Sequence, residues 1–365
     1  MNRSYGVYIH IPFCQAKCFY CDFYSTAKKG SLTHEYVKAA AMEIQTLAPM
    51  VKGRKAASIF IGGGTPSLLT EAMAASLMEA CATHLTLSDN LEATLEGNPE
   101  TLTTKRAEGY IRAGVNRISI GVQSFNDHAL KSIGRIHTAK KARKAVESAK
   151  EAGFKNISAD MMYALPGQTL EMWLKDLRQA AAMGLSHLSC YQLTPELGTR
   201  LGAMVEDGKI SLPEDTLDFF DETEKTLAGW GYSHYEISNF ARPGKECVHN
   251  VGYWEYRDYL GVGSAAHGMV DGVRWMNVRD PARYTARVKA NGRGESHSEK
   301  LTEEQMRMER LMMGLRMRKG MALNGMELSP QIQSMMDADM LKMARGRLAA
   351  TAKGWRMLNS VLAEI

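Results

Sequence analysis

The sequence predicts an α/β fold in which parallel strands alternate with helices. Three observations carry this: short β-prone apolar runs recur along the first half of the chain, helical patterns separate them, and glycines stand where those helices should stop. Such alternation implies right-handed crossovers between parallel strands. The runs are "GVYIHI" (6–11), "ASIFIGG" (57–63), "LEATLEGN" (91–98), "RISIGVQS" (117–124), "NISADMMYAL" (156–165) and "HLSCYQLT" (187–194). Apolar residues at helical spacing mark 34–48, 67–85, 138–152 and 170–183, with Gly114, Gly153 and Gly184 as stops. Six units in roughly 190 residues are too few to close an eight-fold barrel. An open partial barrel or a doubly wound sheet remains, and both place their chemistry at the carboxyl ends of the strands.

Bulk composition sets the context. A chain of 365 residues, 45% of them hydrophobic, buries a large core. Its start, "MNRSYGVYIH", lacks the basic and then apolar pattern of a signal peptide, and no long apolar run follows, so a cytoplasmic location is expected. The net charge of +5 comes from interleaved Lys, Arg, Asp and Glu, and no nucleic-acid partner is expected. Three of the six cysteines fall within residues 14–21, while Cys81, Cys190 and Cys247 are scattered. That is a poor disulfide framework and a good metal cluster.

Polar residues collect at the strand ends. "CQAKCFYCDF" (14–23) follows the first run and "GGGTPS" (62–67) the second; Glu96 and Asn98 end the third, Gln123 and Ser124 the fourth. One shared pocket is implied, because strand interiors of such folds favour branched apolar side chains. Cys14, Cys18 and Cys21 form a C-x3-C-x2-C array. Thiolates at this spacing suit zinc or an iron–sulfur cluster, but a structural zinc site wants four ligands, and neither a second C-x2-C nor a His pair lies nearby. A four-iron cluster on three thiolates leaves one iron open.

The array after the first strand, with Tyr20 before its last cysteine and "GGGTP" after the second strand, resembles the radical S-adenosylmethionine (SAM) superfamily. The resemblance implies a partial (β/α)6 barrel and a [4Fe–4S] cluster on Cys14, Cys18 and Cys21. It also implies SAM chelating the open iron through its amino and carboxylate groups, and electron transfer to the sulfonium to release a 5′-deoxyadenosyl radical. "YIHIPFC", "CDF", "IFIGGGTPSLL", "GVNRISIGVQSF", "GRIH" and "LPGQT" are similar to the branch that holds oxygen-independent coproporphyrinogen III oxidases and HemW-type heme chaperones, over residues of about 5 to 275. By that similarity Tyr8, Tyr20, Gly63, Gly64, Thr65 and Glu96 bind SAM, while Gln123, Arg135 and Asp160 line its ribose or a second SAM position. Glu96 suits an ammonium, Asp160 ribose hydroxyls and Arg135 a carboxylate.

Two features separate the oxidase and chaperone types. Oxidase-type sequences carry a further cysteine where Phe23 stands, and a longer segment before the array than the 13 residues preceding Cys14. "CVHNVGYWEYRDYLGVGSAAHG" (247–268) instead matches the H-N-x-x-Y-W motif of the chaperone type with His249, Asn250, Tyr253 and Trp254. That resemblance implies heme as a third bound group, with His249 as axial ligand and Tyr253 and Trp254 stacked on the porphyrin. It implies transfer of the heme to an acceptor protein of unspecified identity, through which any peripheral membrane contact would run. An oxygen-independent coproporphyrinogen III dehydrogenase, or another tetrapyrrole-acting radical SAM enzyme, is the alternative. Cys247 reads as a buried structural cysteine, and His267 as a brace or a SAM neighbour.

Three regions are expected: the partial barrel with its extension carrying the motif (1–285), a linker, "ARVKANGRGESHSEK" (286–300), and a small, mainly helical, winged-helix-like C-terminal domain (301–365). Its first helix starts at a capping box on Thr302 and Gln305, turns Met306, Leu311, Met312 and Leu315 inward and stops at Gly320. The 24 methionines read chiefly as adaptable core filler.

Overall fold

The computed structural model describes residues 4–27, 30–323 and 325–365; the first three residues of the N-terminal stretch read above lie outside them. All six expected strands form: β1 (Tyr5–Ile11), β2 (Ala56–Gly63), β3 (Leu87–Gly97), β4 (Arg117–Gln123), β5 (Asn156–Tyr163) and β6 (His187–Gln192). They pair in parallel in sequence order. Helices Gly30–Leu47, Glu71–His84, Thr104–Arg112, Ala139–Ala152 and Leu170–Ala182 fall between them. Gly114, Gly153 and Gly184 take the positive φ that ends helices.

Six further strands extend the sheet at both edges. Beyond β6 lie β7 (Ser233–Glu236) and β8 (Asn239–Ala241), with β8 against β6 and β7 outermost. Beyond β1, β9 (Tyr259–Val262) pairs in parallel, and β10 (His267–Val270), β11 (Val273–Asn277) and β12 (Glu295–Lys300) continue as an antiparallel meander. The sheet has β12 and β7 as its two edges, so the barrel is open and partial.

Period-two alternation gives this sheet two unlike faces. Val7, Ile9, Ile59, Ile61, Ala93, Leu95, Ile118, Ile120, Ile157, Ala159 and Leu188 point outward and are buried in the main core with the helices. The same strands send Gly6, Tyr8 and His10, Ser58 and Phe60, Glu92, Thr94 and Glu96, Arg117 and Ser119, Ser158 and Asp160, and His187 and Ser189 to the inner face. A polar barrel interior is thus written into the alternate residues of each strand.

Two expectations need correction. The stretch 286–300 is not a linker: it holds the second half of helix Pro281–Asn291 and all of β12, whose exposed polar residues pair along β11. The C-terminal region is mainly helical, as expected, and carries a small sheet. A three-stranded antiparallel sheet (Met321–Ala322, Arg347–Ala350, Leu341–Ala344) packs with helices Glu303–Gly314, Pro330–Asp337, Ala352–Arg356 and Leu358–Glu364 around Leu311, Leu315, Ile332, Leu348 and Trp355. The capping box forms on Thr302 and Gln305, but that helix ends at Gly314, and Met312 faces solvent. Gly320 lies in the turn before the first C-terminal strand, at positive φ.

Candidate functional site

The cysteine loop leaves the carboxyl end of β1. Cys14, Cys18 and Cys21 are free and half-buried. Among the described residues no group of three or more His, Cys, Asp or Glu side chains converges where a single ion would sit, as a mononuclear zinc site requires. Burial raises the Cys21 thiol to about 11, and the neighbouring Cys18 and Cys14 push the same way. Phe19 and Tyr20 anchor the loop in a satellite cluster with Ile133, Leu165 and Leu201, and the Arg200 guanidinium lies 3.9 Å over the Phe19 ring.

Two polar residues reach the cysteine sulfurs. Thr65 Oγ1 donates to Cys14 Sγ at 3.5 Å, and Arg135 donates to Cys18 Sγ at 3.4 Å. Asn98 ties them together: its Nδ2 donates to Thr65 Oγ1 at 3.1 Å, and its Oδ1 accepts from Arg135 at 3.1 Å. Arg135 also donates to the Gly121 carbonyl at 2.7 Å. Four loops at four strand ends are therefore bound to one another around the thiols.

The glycine-rich turn closes the adjoining wall. Gly63 has φ +112°, and a Cβ there would lie 2.5 Å from the His10 ring; a Cβ on Gly64 would lie 3.0 Å from Cys14 Sγ and 2.9 Å from two backbone carbonyls. Only glycine brings the backbone this close to the cysteine loop. Gly63 N–H donates to Glu96 Oε2 at 3.0 Å. Burial, with Asp160 nearby, pushes the Glu96 carboxyl up to about 8, although the side chain is still reachable from the open face. Asp160 accepts from Ser119 Oγ at 3.0 Å, and its pKa is also raised, first by burial.

Tyr8 OH bonds His10 Nδ1 at 2.9 Å, and His10 Nε2 meets the Tyr24 carbonyl at 3.2 Å. Gln123 ends β4 at φ +63° beside a register shift, an uncommon conformation for a residue with a side chain. Tyr8, Tyr20, Gly63, Gly64, Thr65, Glu96, Gln123, Arg135 and Asp160 thus share the mouth with the three cysteines. Reasoning on the sequence placed Asn98 in the shared pocket without a role and left out His10 and Ser119 as site residues. "YIHI" held the signal for His10, since alternation puts it on the face of Tyr8.

The H-N-x-x-Y-W segment lies elsewhere. Helix Val248–Trp254 packs on the inner face at the amino ends of the strands, the base of the barrel. His249 is buried, with Nδ1 bonded to Ser58 Oγ at 2.9 Å, Nε2 bonded to Tyr253 OH at 3.1 Å, and the Phe60 ring stacked at 5.0 Å. Burial, with Arg117 nearby, holds its pKa down at about 3, so the ring is neutral. This departs from the expectation of an imidazole presented to heme iron: both ring nitrogens are used inside the barrel. Cys247 is buried against Glu92 Oε1 at 3.5 Å, as a structural cysteine. Trp254 points the other way, its ring under the Arg316 guanidinium at 4.6 Å, and its buried indole N–H has no partner. His267 is exposed at the start of β10.

Residues 8–180 match the radical SAM superfamily model. The heme chaperone HemW of Escherichia coli K12 is 44% identical over 268 residues, 73% of this chain and 70% of that protein. HemW of Lactococcus lactis is 34% identical over 373 residues, 99% and 97% of the two chains. The chain belongs to the HemW family of radical SAM proteins. The mitochondrial radical S-adenosyl methionine domain-containing protein 1 of Danio rerio is 36% identical across 89% of this chain and 76% of its own. Among solved structures, E. coli coproporphyrinogen III oxidase HemN superposes with a TM-score of 0.85 over 99% of this chain and 90% of its own, at 23% identity. That likeness speaks for the fold, which radical SAM chaperone and oxidase thus share.

Proposed function

We propose that this protein is a radical-SAM-type heme chaperone, which binds heme, a [4Fe–4S] cluster and SAM and passes the heme to an acceptor protein. The observation that carries the reading is 34% identity to a heme chaperone along practically the whole of both chains. Cys14, Cys18 and Cys21 hold the cluster. The donor set fits: three thiols ring a loop that glycines bring against the second strand turn, and Thr65 and Arg135 donate to two of the sulfurs. Such a cluster supplies low-potential electrons to SAM bound at its open iron.

The chain's own residues do the positioning. Glu96, as the carboxylate, accepts a hydrogen bond from the amino group of SAM, giving up its own proton as it does so. Tyr8, Tyr20, Gly63, Gly64 and Thr65 shape the methionine side of the pocket, while Gln123, Arg135 and Asp160 face the ribose or a second SAM. Arg135 also donates to Cys18 Sγ and Asn98 Oδ1, which ties the cysteine loop to the end of β3.

No helix among the described residues is long and apolar enough to cross a membrane. We place the protein in the cytoplasm, its partner an acceptor protein that receives the heme and mediates any membrane contact. The enzymatic alternative, oxygen-independent coproporphyrinogen III oxidation, has the shared fold in its favour and Phe23, 62% exposed where the oxidase type has a cysteine, against it. Anaerobic reconstitution, then heme titration and a coproporphyrinogen assay on one sample, tests both. Tight heme binding without porphyrinogen turnover is expected; conversion to protoporphyrinogen IX overturns the reading.

A further inference from the structure

With His249 turned inward, a heme carried by this chain needs a different seat, and one groove has the chemistry for it. It runs between the segment Trp254–Asp258 and the C-terminal region, with a volume of about 1070 Å³. Small-molecule sites usually span about 300–1,000 Å³, so a macrocycle fits. Met306, Met317, Met321 and Met326 line it together with Trp254 and Tyr256. Met317 and Met321 are buried and make its floor, while Met306 and Met326 are half-buried at its opening. Met321 and Met326 also touch the C-terminal core, as do Met308, Met335 and Met336, which do not line the groove.

The polar groups of the groove complement a flat apolar ring with two carboxylates. Arg307 and Arg310 sit one and four residues beyond Met306 on helix Glu303–Gly314 and reach the same groove. Arg310 lies 5.4 Å over the Tyr256 ring, and the Tyr256 hydroxyl is committed to Glu309 at 2.6 Å. Arg257 and Arg54, also in the lining, are already paired with Glu255 and Asp258. Glu303 and Glu304 also line the groove, in the first turn of the helix, one turn before Arg307. The unpartnered indole N–H of Trp254 adds a buried donor. No His or Cys is among the described lining residues, so the soft ligands available to iron are the thioethers.

We infer that heme binds in this groove, with the thioethers of Met306 and Met326 facing the iron and Arg307 and Arg310 holding the propionates. The inference rests on the reading of the chain as a heme carrier and adds where the cargo sits. It also accounts for the two-way motif: His249 and Tyr253 seal the barrel, while Trp254 carries the same helix to the groove wall.

The test uses the full chain with its cluster reconstituted, titrated with hemin and, separately, with hemin dimethyl ester, whose propionates are masked. Met306→Leu/Met326→Leu keeps volume but removes both sulfurs. It should abolish the sulfur-to-iron charge-transfer band of the ferric complex and weaken hemin binding about tenfold. Arg307→Gln/Arg310→Gln should weaken hemin about tenfold while leaving the dimethyl ester unaffected. Iron content and circular dichroism check that both variants are folded. His249→Gln should keep the wild-type heme spectrum. Wild-type spectrum and affinity in both double variants overturn the groove while leaving the chaperone reading intact, as does a spectral change confined to His249→Gln. A wild-type chain that takes up no hemin overturns that reading and the groove together.

Discussion

The two ends of the partial barrel carry similar side chains on the same six strands, yet they are closed in different ways. At the base, Glu92 and His187 are buried beside His249 of helix Val248–Trp254, the two histidines bonded to Ser58, Ser158, Tyr235 and Tyr253 and Glu92 to the His249 N–H, while buried Arg117 faces Glu92 at 3.8 Å as an ion pair. At the mouth, Glu96, Asp160 and Arg135 have comparable partners but stay half-buried, reachable beside the cysteine loop. Residue type does not separate a structural network from a binding site here. Closure does: a sealed polar group has spent its hydrogen bonds on the fold, whereas a reachable one holds capacity for a ligand.

The sharpest way to break this contrast is to delete one thiol at each end. Cys18→Ala should abolish the cluster, with iron and sulfide of the reconstituted protein falling to background, whereas Cys247→Ser should keep full iron content. Loss of iron in Cys247→Ser would mean that the base also governs cluster loading.

Next in size is the seal. His249→Ala leaves a cavity and two unmatched hydroxyls, Ser58 and Tyr253, and should cost about 3 kcal/mol in chemical denaturation. The same residue makes the fold acid-sensitive. The unfolded chain binds a proton on this ring below its ordinary 6.5, the folded chain only near 3. Stability is therefore lost as pH falls from 6.5 toward 3, and His249→Gln should flatten that slope in acid unfolding curves.

At the mouth the expected effect is smaller and is read in ligand binding. Glu96 carries its proton until about pH 8, so accepting from the SAM amino group releases that proton near neutral pH. SAM affinity should rise with pH up to about 8 and level off above it, with proton release visible in calorimetry in two buffers. Glu96→Gln should bind SAM about tenfold more weakly, with the pH dependence gone. The smallest effect belongs to Thr65→Val, which removes one donor from Cys14 Sγ. It should leave iron content unchanged and shift only the cluster's reduction potential, because hydrogen bonds to cluster sulfurs tune that potential.

The strands of the barrel were legible in the sequence because each has an apolar outer face and a polar end. Strand β12, "ESHSEK", was not: it has no buried side, and only its backbone pairing with β11 makes it a strand. Strands β9 and β10 hide for another reason, being four residues each and separated by the tight turn of "GSAA". At the site, the cysteines and glycines stood out by local spacing. Asn98 as the tie between Thr65 and Arg135 did not, since its partners lie 33 and 37 residues away along the chain. The direction of His249 was equally hidden, because a motif written along one helix does not say which residue turns inward.

The parallel pairing of β1 with β9 has a consequence for how the protein is made. Gly6 lies beside Tyr259, so the strand that launches the cysteine loop gains its β2 neighbour early but its second neighbour only after most of the chain has left the ribosome. Until then β1 is an open strand edge, the kind of surface that invites pairing with other chains. A nascent chain halted before residue 248 therefore offers the three cysteines on an unfinished sheet, without the base helix beneath them. Iron–sulfur loading belongs after release, and truncated chains should aggregate rather than accumulate as half-loaded carriers.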